Sequence, residues 1–185
     1  MTEREIKLIE SRILTSMTTK ADPYVELDDN KDIALCIELF DSHDPDIEKI
    51  KKWFAEEISN KNAENIELLL LFLSYYGIKK HFIDILAQLL IEDWHTCHED
   101  IAFYLEQAKD PSTAKYLYDA ATIDFDYLDY QSDYRELSRK CMYALYCIGN
   151  EEAIGYIKAL SEHENKIITD LAKEFLSMHE TDIKA

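Results

Sequence analysis

The sequence predicts an all-α protein: a short right-handed α-solenoid of about four antiparallel helix hairpins, with about ten helices in all. Apolar residues recur with the period of an amphipathic helix along most of the 185-residue chain. Glycine and proline are scarce, three of each, which favours long helices with tight joints over sheets with many turns. Helix-joint signals at Gly77, Asp110 and Asn150 lie 33 and 40 positions apart, a spacing typical of stacked helix hairpins.

Three amphipathic helices are predicted in the N-terminal third of the chain. The first spans residues 3–17, and a loop containing one proline and three aspartates follows at residues 21–30. The second helix begins near Lys31. The third follows Asp44-Pro45, since Asp caps helices and Pro suits the first helical position. The residues predicted to face inward are Ile6, Ile9, Ile13, Met17, Ile33, Cys36, Ile37, Phe40, Ile47, Ile50, Phe54 and Ile58.

Two further helices are predicted in the middle of the chain. The fourth is capped by Asn62 and ends at Gly77, a residue type that suits the position just after a helix. Residues 68–73 at its centre are apolar all round, so we expect this helix to be covered on more than one side. The fifth helix runs on to the corner at residues 92–94. Its inward residues are predicted to be Ile78, Phe82, Ile85, Leu86 and Leu89.

The pattern of helix hairpins is clearest from residue 96 to residue 165. Residues 96–99 match a capping box, which starts one helix. Asp110-Pro111 ends that helix and starts the next, and Gly149-Asn150 does the same one hairpin later. The residues predicted to face inward here and in the last helix are Ile101, Tyr104, Leu105, Ala108, Ala114, Leu117, Ala121, Leu137, Cys141, Ala144, Leu145, Ile148, Ala153, Ile154, Ile157, Leu160, Ile168, Leu171, Ala172 and Phe175.

The charge of the chain narrows the classes of partner. The formal net charge is −18 and the sequence pI is about 4.6. Nucleic acids and anionic membranes are therefore not expected as partners, because both bind clustered Lys and Arg. A strongly acidic protein attracts basic proteins from a distance. We expect a basic protein partner, a monomer that forms a heterodimer with it, and no cofactor.

The sequence also predicts the domain organisation and the compartment. Residues 1–185 are expected to form one domain, with an N-terminal helical cap (1–60), helix pairs (61–178) and a tail (179–185). Four widely spaced cysteines, three of them among apolar residues, predict free buried thiols in a reducing compartment. The first residues are charged, unlike a signal peptide, and the apolar run at 66–78 is too short to cross a bilayer. A cytoplasmic protein is expected.

The segment His95-Thr96-Cys97-His98-Glu99-Asp100 is the strongest candidate for chemistry. Cys and His bind metals, and a helix N-terminus lowers the pKa of a thiol. Cys97 could act as a nucleophile beside a histidine. However, no second Cys or His pair with metal-ligand spacing exists elsewhere in the sequence. The favoured interpretation is a capped helix start with two exposed histidines, with no catalytic residue and no metal site.

The connection at residues 123–134 is the strongest candidate for binding. It interleaves Asp with Tyr and Phe but lacks the spacing of a calcium loop. Tyrosine offers a large, stiff contact surface, and Asp offers charge complementary to Lys or Arg. The alternative is a loop that packs onto the protein, with Phe125, Leu128 and one tyrosine buried.

Further binding residues are predicted on the corner before residue 95 and on the second helices of the hairpins. The 12 tyrosines exceed what a core needs, since each buried hydroxyl requires a partner. Trp94 could be a binding anchor or a packed corner residue. The complete set of predicted partner-binding residues is Glu92, Asp93, Trp94, Tyr116, Asp119, Asp124, Asp126, Tyr127, Asp129, Tyr130, Asp133 and Tyr156.

The hairpin pattern resembles the HEAT-repeat family. Asp110-Pro111-x-x-Ala114-x-x-Leu117 and the Gly149–Ala153 segment look like the turn between the two helices of such repeats and the opening of the second helix. The segment Arg139-Lys140-Cys141-x-x-Ala144-Leu145-x-x-Ile148-Gly149 looks like a first helix. The resemblance covers residues 96–178, and residues 62–91 more loosely. It implies a fold and says little about function.

A narrower resemblance is to bacterial HEAT-type immunity proteins. It depends on His98-x-Asp100-Ile101 at a helix start, on Tyr127-Leu128, and on the Arg139–Cys141 block in a short acidic chain. Membership would imply a partner toxin that this protein neutralises by binding.

Three classes of function follow from these observations. The first is an immunity protein that binds a basic, nuclease-like toxin domain through an acidic and aromatic surface. The alternative is a HEAT-repeat adaptor that joins other cellular proteins. The third is an enzyme, since HEAT-like folds include relatives of bilin lyases and DNA glycosylases; the negative charge disfavours the glycosylase.

Overall fold

The computed structural model describes residues 1–14, 33–128 and 135–184. In these ranges the chain forms ten α-helices and no β-strand, which confirms the all-α prediction and the expected number of helices. The predicted loop at residues 21–30 and the predicted inward residue Met17 lie outside the described residues.

The helices are numbered in chain order. Their bounds are α1 Glu3–Ile9, α2 Ile33–Phe40, α3 Ile47–Ser59, α4 Ala63–Tyr76, α5 Ile83–Leu89, α6 His98–Ala108, α7 Ala114–Ala120, α8 Glu136–Ile148, α9 Glu151–Leu160 and α10 Lys166–Lys184. A π-helical turn, Glu10–Leu14, continues α1, and 3-10 turns at Lys79–His81 and Pro111–Thr113 precede α5 and α7. The first predicted helix is therefore shorter in α form than expected, and the fifth begins at Ile83 rather than at Ile78.

The chain divides into two compact units, Met1–Phe82 and Ile83–Ala185. In the N-terminal unit α1 packs on α2 and α4, and α3 packs on α4. Three successive residues of α4, Leu68, Leu69 and Leu70, are buried. Since successive residues of a helix point in different directions, α4 is covered on more than one side, as predicted.

Two predictions for the N-terminal unit are wrong. Ile33 and Ile37 are 48 % and 45 % exposed, while Leu35 and Leu39 are buried instead. Residues 33–40 are apolar at all but one position, so the periodicity in this helix could not identify its inner face. The N-cap of α3 is Asp46 rather than Asp44: its carboxylate accepts the backbone N–H of Lys49 at 3.0 Å. Aspartates flank Pro45 on both sides, and the second one adopts the extended backbone of an N-cap.

In the C-terminal unit the helices contact one another in two alternating series. α6 packs on α8, and α8 on α10; α7 packs on α9, and both contact α8. The core contains most of the predicted inner residues of these helices, which confirms the 3.6-residue pattern. Ala108 is exposed, and Tyr104, Ile148 and Leu171 are half-buried. Residues 179–184, expected to be a tail, continue α10.

Of the joints that the sequence predicts at Gly77, Thr96 and Gly149-Asn150, all but the one at Thr96 follow the predicted local signals. Gly77 and Gly149 end α4 and α8 with φ values of 65° and 67°, which suit a residue without a Cβ. Asn150 caps α9 by accepting the backbone N–H of Ala153 at 2.8 Å. The capping box at Thr96 is wrong: the N-cap of α6 is Cys97, whose side chain makes no capping hydrogen bond.

The four cysteines are free thiols, as predicted, and three of them are buried. Burial raises the pKa of Cys141, so this side chain stays a neutral thiol at pH 7. Among the described helices, none combines the length and the apolar character needed to cross a bilayer.

Candidate partner-binding site

The candidate site is built around the joint between α5 and α6. α5 ends at Leu89, and the last carbonyl groups of a helix have no partner within it. Two histidines bond carbonyls at this joint. His95 Nε2 lies 2.9 Å from the Leu89 carbonyl oxygen, and His98 Nε2 lies 2.7 Å from that of Glu92. Because a carbonyl oxygen only accepts, each Nε2 carries the hydrogen and donates it.

The second nitrogen of each ring is an acceptor. His95 Nδ1 accepts the backbone N–H of Cys97 at 3.1 Å. His98 Nδ1 lies 2.8 Å from the hydroxyl oxygen of Tyr127. Burial lowers the pKa of His98 to about 4, so at pH 7 the ring carries its single hydrogen at Nε2 and the Tyr127 hydroxyl donates this bond. Both rings are therefore neutral, and every ring nitrogen has a partner.

Aromatic rings stack on this histidine pair. The ring centroids of His95 and His98 are 4.3 Å apart, and those of His98 and Phe125 are 3.8 Å apart. Tyr127 stacks on His98 at 5.5 Å, and Trp94 meets His95 edge-on at 5.2 Å. We call these five side chains the ring cluster. Through it, the segment that follows α7 is held against the joint that precedes α6.

The burial of the histidines corrects the prediction that they are exposed: His95 is 2 % and His98 0 % exposed. Burial lowers the pKa of His98 to about 4, although the hydrogen bond that its ring donates to the Glu92 carbonyl raises the pKa; a charge on His95 would lower it further. Burial also lowers the pKa of His95. Both are uncharged at pH 7. A sequence signal existed, since histidines just after a helix can bond its last carbonyls.

The joint and the segment after α7 enclose a pocket of about 430 Å³. One side is formed by residues 93–96 and the other by residues 123–127. Trp94 is half-buried, and Tyr127 is 39 % exposed. Asp93, Asp124 and Asp126 are exposed around these rings. The pocket therefore combines aromatic walls with carboxylates. We call it the acidic–aromatic pocket.

The carboxylates of the pocket differ in their partners. Asp124 pairs with the Arg135 guanidinium at 2.7 Å. Asp93 and Asp126 make no side-chain hydrogen bond or ion pair with any residue in the described part of the chain. At the edge of the pocket, the Trp94 indole N–H donates to the Glu92 carboxylate at 2.9 Å. This bond holds the indole in place.

Comparisons with models of protein families, with curated proteins and with solved structures give no match. Within the described ranges, no three His, Cys, Asp or Glu side chains are grouped so that they could hold a metal ion. The function is therefore inferred from the geometry of the side chains.

The structure brings five of the predicted binding residues to the acidic–aromatic pocket and one to its edge. Asp93, Trp94, Asp124, Asp126 and Tyr127 line the pocket, and Glu92 borders it. Asp129, Tyr130 and Asp133 lie outside the described residues. Ile123 and Phe125, from the segment predicted to bind, also line the pocket, as do His95 and Thr96, which sequence reasoning did not name as partner-binding residues. Phe125 is buried, as the packing alternative expected, while Asp124 and Asp126 remain exposed.

The remaining predicted residues lie on α7 and α9, and we call the patch around the stacked rings of Tyr118 and Tyr156 the second surface. Tyr156 stacks on Tyr118 with 4.8 Å between ring centroids, and Tyr116 is half-buried on α7. Asp119 pairs with Lys115, whose ammonium lies 5.6 Å from the ring centroid of Tyr118. The charge of Asp119 is therefore already matched within the chain.

Proposed function

We propose that this protein is a non-enzymatic binding module that neutralises a basic protein partner, as an immunity protein neutralises its toxin. The observation that carries this proposal is the acidic–aromatic pocket. Rigid aromatic side chains are the usual anchors of protein interfaces, and charged side chains around them select a partner of opposite charge. Both kinds of side chain occur together here, around Trp94 and Tyr127.

The hydrogen bonds of the histidines support a binding role over catalysis. A general base needs a ring nitrogen that can accept a proton from a substrate. In His95 and His98 every ring nitrogen is already bonded to the protein. Cys97 is 7 % exposed, and the contact with His95 is made by its backbone N–H. These features make the cluster a scaffold for the pocket.

The charge supports a basic partner of the nuclease-like toxin type. A net charge of −18 creates a negative field that speeds encounter with a basic protein. The cleft of a nuclease accepts a polyanion, so carboxylates can occupy it in place of phosphates. The proposal is a cytoplasmic 1:1 heterodimer in which the pocket surface covers the cleft of the toxin.

The proposal extends to the fold of the C-terminal unit. The alternating helix contacts of α6, α8 and α10 on one hand, and of α7 and α9 on the other, support stacked antiparallel hairpins of a right-handed, HEAT-like α-solenoid. A stack of this kind is stiff, and a stiff surface loses little conformational entropy when it binds.

The alternative is an adaptor that joins two cellular proteins. The observation that favours it is the second surface, where Tyr118 and Tyr156 stack on neighbouring helices. An adaptor would hold two chains at once, whereas an immunity protein holds one.

The proposal is tested by capturing the partner from native lysate with the tagged full-length protein and with two matched variants. In the first variant Asp93, Asp124 and Asp126 are changed to Asn. In the control, the exposed residues Glu67, Glu162 and Glu164 are changed to Gln, which removes the same charge elsewhere.

We expect one basic chain, captured in 1:1 ratio by the wild type and by the control but not by the pocket variant. Its enzymatic or toxic activity should be abolished when the wild-type protein is added. Capture of two chains at once supports the adaptor. An acidic partner, or equal capture by all three proteins, rules out the proposed mode of binding.

A further inference from the structure

We propose that the acidic–aromatic pocket receives the guanidinium group of an arginine side chain of the partner. This inference depends on the proposed function, because it names the group of the basic partner that the pocket recognises. It is argued from the walls, the carboxylates and the size of the pocket.

The aromatic walls suit a flat cation. A guanidinium stacks on the face of a tryptophan or tyrosine ring, whereas an ammonium is a compact, strongly hydrated charge that stacks less well. Trp94 is held by its bond to Glu92 and its contact with His95, and Tyr127 is held by its bond to His98. The rings are therefore in place before the ligand arrives, so little entropy is lost on binding.

The carboxylates supply the matching charge. Arginine presents N–H donors in a planar fork that fits a carboxylate with two hydrogen bonds. Asp124 already binds one guanidinium, that of Arg135, at 2.7 Å. Asp93 and Asp126 come from the two segments that line the pocket, and they bind no cation within the described part of the chain. A second guanidinium entering the pocket would find two carboxylates that still lack a counter-charge.

The pocket is large enough to receive a side chain. Its volume of about 430 Å³ lies within the range of about 300–1,000 Å³ that is usual for small-molecule sites. It admits the end of a long side chain lying flat against the rings.

The experiment is an NMR titration of the full-length protein at low salt with the blocked peptide acetyl-Gly-Arg-Gly-amide. The same peptide with lysine in place of arginine tests the shape of the cation. The peptide with citrulline, which is neutral and has nearly the shape of arginine, tests the charge. The two tryptophans give separate indole N–H resonances, and a Trp53→Phe variant assigns them. Trp53 is 5 % exposed in the N-terminal unit and serves as an internal control.

We expect the indole resonance of Trp94 to shift in a saturable way with the arginine peptide, and the resonance of Trp53 to stay unchanged. The lysine peptide should bind more weakly, and the citrulline peptide should cause no saturable shift. The double change Asp93→Asn and Asp126→Asn should weaken arginine binding by about tenfold or more, because the charge-assisted hydrogen bonds to the guanidinium would be lost. The matched double change Glu162→Gln and Glu164→Gln should leave the affinity unchanged.

Equal binding of the arginine and citrulline peptides, or an unchanged affinity in the Asp93/Asp126 variant, would overturn this inference. So would the absence of any shift at Trp94. The two proposals can fail separately. If capture of a basic partner requires the pocket but the arginine peptide gives no response, only the arginine inference is wrong. If the pocket binds the arginine peptide but no basic partner is captured, the proposed function is wrong and the arginine site stands.

Discussion

At the scale of single residues, the histidine pair determines the shape of the site. Protonating His95 would place a new N–H at Nδ1, opposite the backbone N–H of Cys97 that Nδ1 now accepts. Two donors would then face each other, so this bond at the start of α6 would be lost. In His98 the tyrosine hydroxyl could rotate and accept instead, but the added charge would be buried. Both rings therefore stabilise the fold in the neutral form.

The first prediction concerns pH. His98 takes up a proton at about pH 6.5 in the unfolded chain but only at about pH 4 in the folded protein. Its contribution to stability is therefore complete above pH 6.5 and is lost as the pH falls toward 4. The free energy of unfolding should decrease with a slope that approaches about 1.4 kcal/mol per pH unit from this group.

Chemical denaturation of the wild type and of a His98→Gln variant at several pH values between 6.5 and 5 measures this slope. The variant should be less stable, but its free energy of unfolding should depend less steeply on pH. The carboxylates titrate alike in both proteins, so the difference in slope comes from His98. NMR should show His98 still neutral at pH 5. Parallel slopes, or protonation of His98 near pH 6.5, would contradict the assignment.

The second prediction concerns the hydroxyl of Tyr127. The change Tyr127→Phe removes the donor to His98 Nδ1 and leaves a buried acceptor without its partner, which should lower the free energy of unfolding by about 1–2 kcal/mol. Tyr116 is half-buried on α7, and its hydroxyl makes no hydrogen bond with any described residue. Tyr116→Phe is therefore the matched control and should change stability by less than about 0.5 kcal/mol. Urea denaturation compares the two; equal effects would refute the role of the hydroxyl.

At the scale of helices, the joints are of two kinds, which differ in where the residues that stabilise them lie in the sequence. Glycine caps end α4 and α8, and an asparagine N-cap starts α9. At these three places the capping hydrogen bonds join residues that are close in sequence. The joint between α5 and α6 differs, because its partners include a ring from a segment about thirty residues further on. A substitution at a joint of the first kind should therefore lower the free energy of unfolding only by the loss of its own capping interaction.

The third prediction compares two helix starts. The change Asn150→Ala removes the acceptor for the N–H of Ala153 and should cost about 1 kcal/mol, as the loss of an N-cap usually does. The change Thr96→Ala should cost less than about 0.5 kcal/mol, because Thr96 is exposed and does not cap α6. Thermal or urea denaturation of both variants measures the difference. A comparable loss in Thr96→Ala would restore the capping box that the sequence predicts.

The fourth prediction compares two glycines that lie six positions apart, Gly149 just before α9 and Gly155 within it. Gly149 has φ 67°, and a Cβ there would lie 3.3 Å from the Tyr146 carbonyl oxygen, so Gly149→Ala should destabilise by about 1 kcal/mol or more. Gly155 is helical, and a Cβ there meets nothing within 4 Å. Gly155→Ala should stabilise by about 0.5–1 kcal/mol, because alanine favours a helix interior. Opposite signs are expected in the same denaturation assay; equal signs would contradict the backbone argument.

At the scale of the whole molecule, the net negative charge bears on the encounter with the proposed basic partner. Acidic residues outnumber basic ones by 38 to 20, and many of the basic side chains already pair with carboxylates of the chain, as Lys115 does with Asp119 and Lys166 with Asp170. The remaining negative field acts over about the Debye length, which is about 8 Å at physiological salt. It affects encounter more than the lifetime of a complex.

The fifth prediction concerns the rates of association with and dissociation from the proposed basic partner. The association rate constant should fall about tenfold or more as salt rises from about 0.02 to about 0.5 M, while the dissociation rate changes much less. Surface plasmon resonance with the purified pair measures both rates. In the control with Glu67, Glu162 and Glu164 changed to Gln, the association rate constant should depend slightly less on salt, because the net negative charge is smaller. An association rate that is indifferent to salt would exclude electrostatic steering.

The sequence by itself determined the helical class, most inner faces from α6 to α10, and the joints at Gly77, Asp110 and Asn150. Each of these depends on residues within one or two helical turns, so the pattern of residue types is sufficient. Where that pattern is uniform, as in residues 33–40, the sequence could not distinguish the buried face from the exposed one, and Ile33 and Ile37 were assigned inward although they are exposed.

Only the tertiary structure decided where the predicted binding residues meet. Trp94 and Tyr127 were both candidates from their residue types, but nothing in the sequence indicates that one pocket contains them. The contact that joins them is the bond between His98 and Tyr127, 29 residues apart. Such a bond forms because the segment after α7 lies against the joint between α5 and α6, and a buried histidine must find a partner for each ring nitrogen. That requirement acts in three dimensions and leaves no periodic signal along the chain.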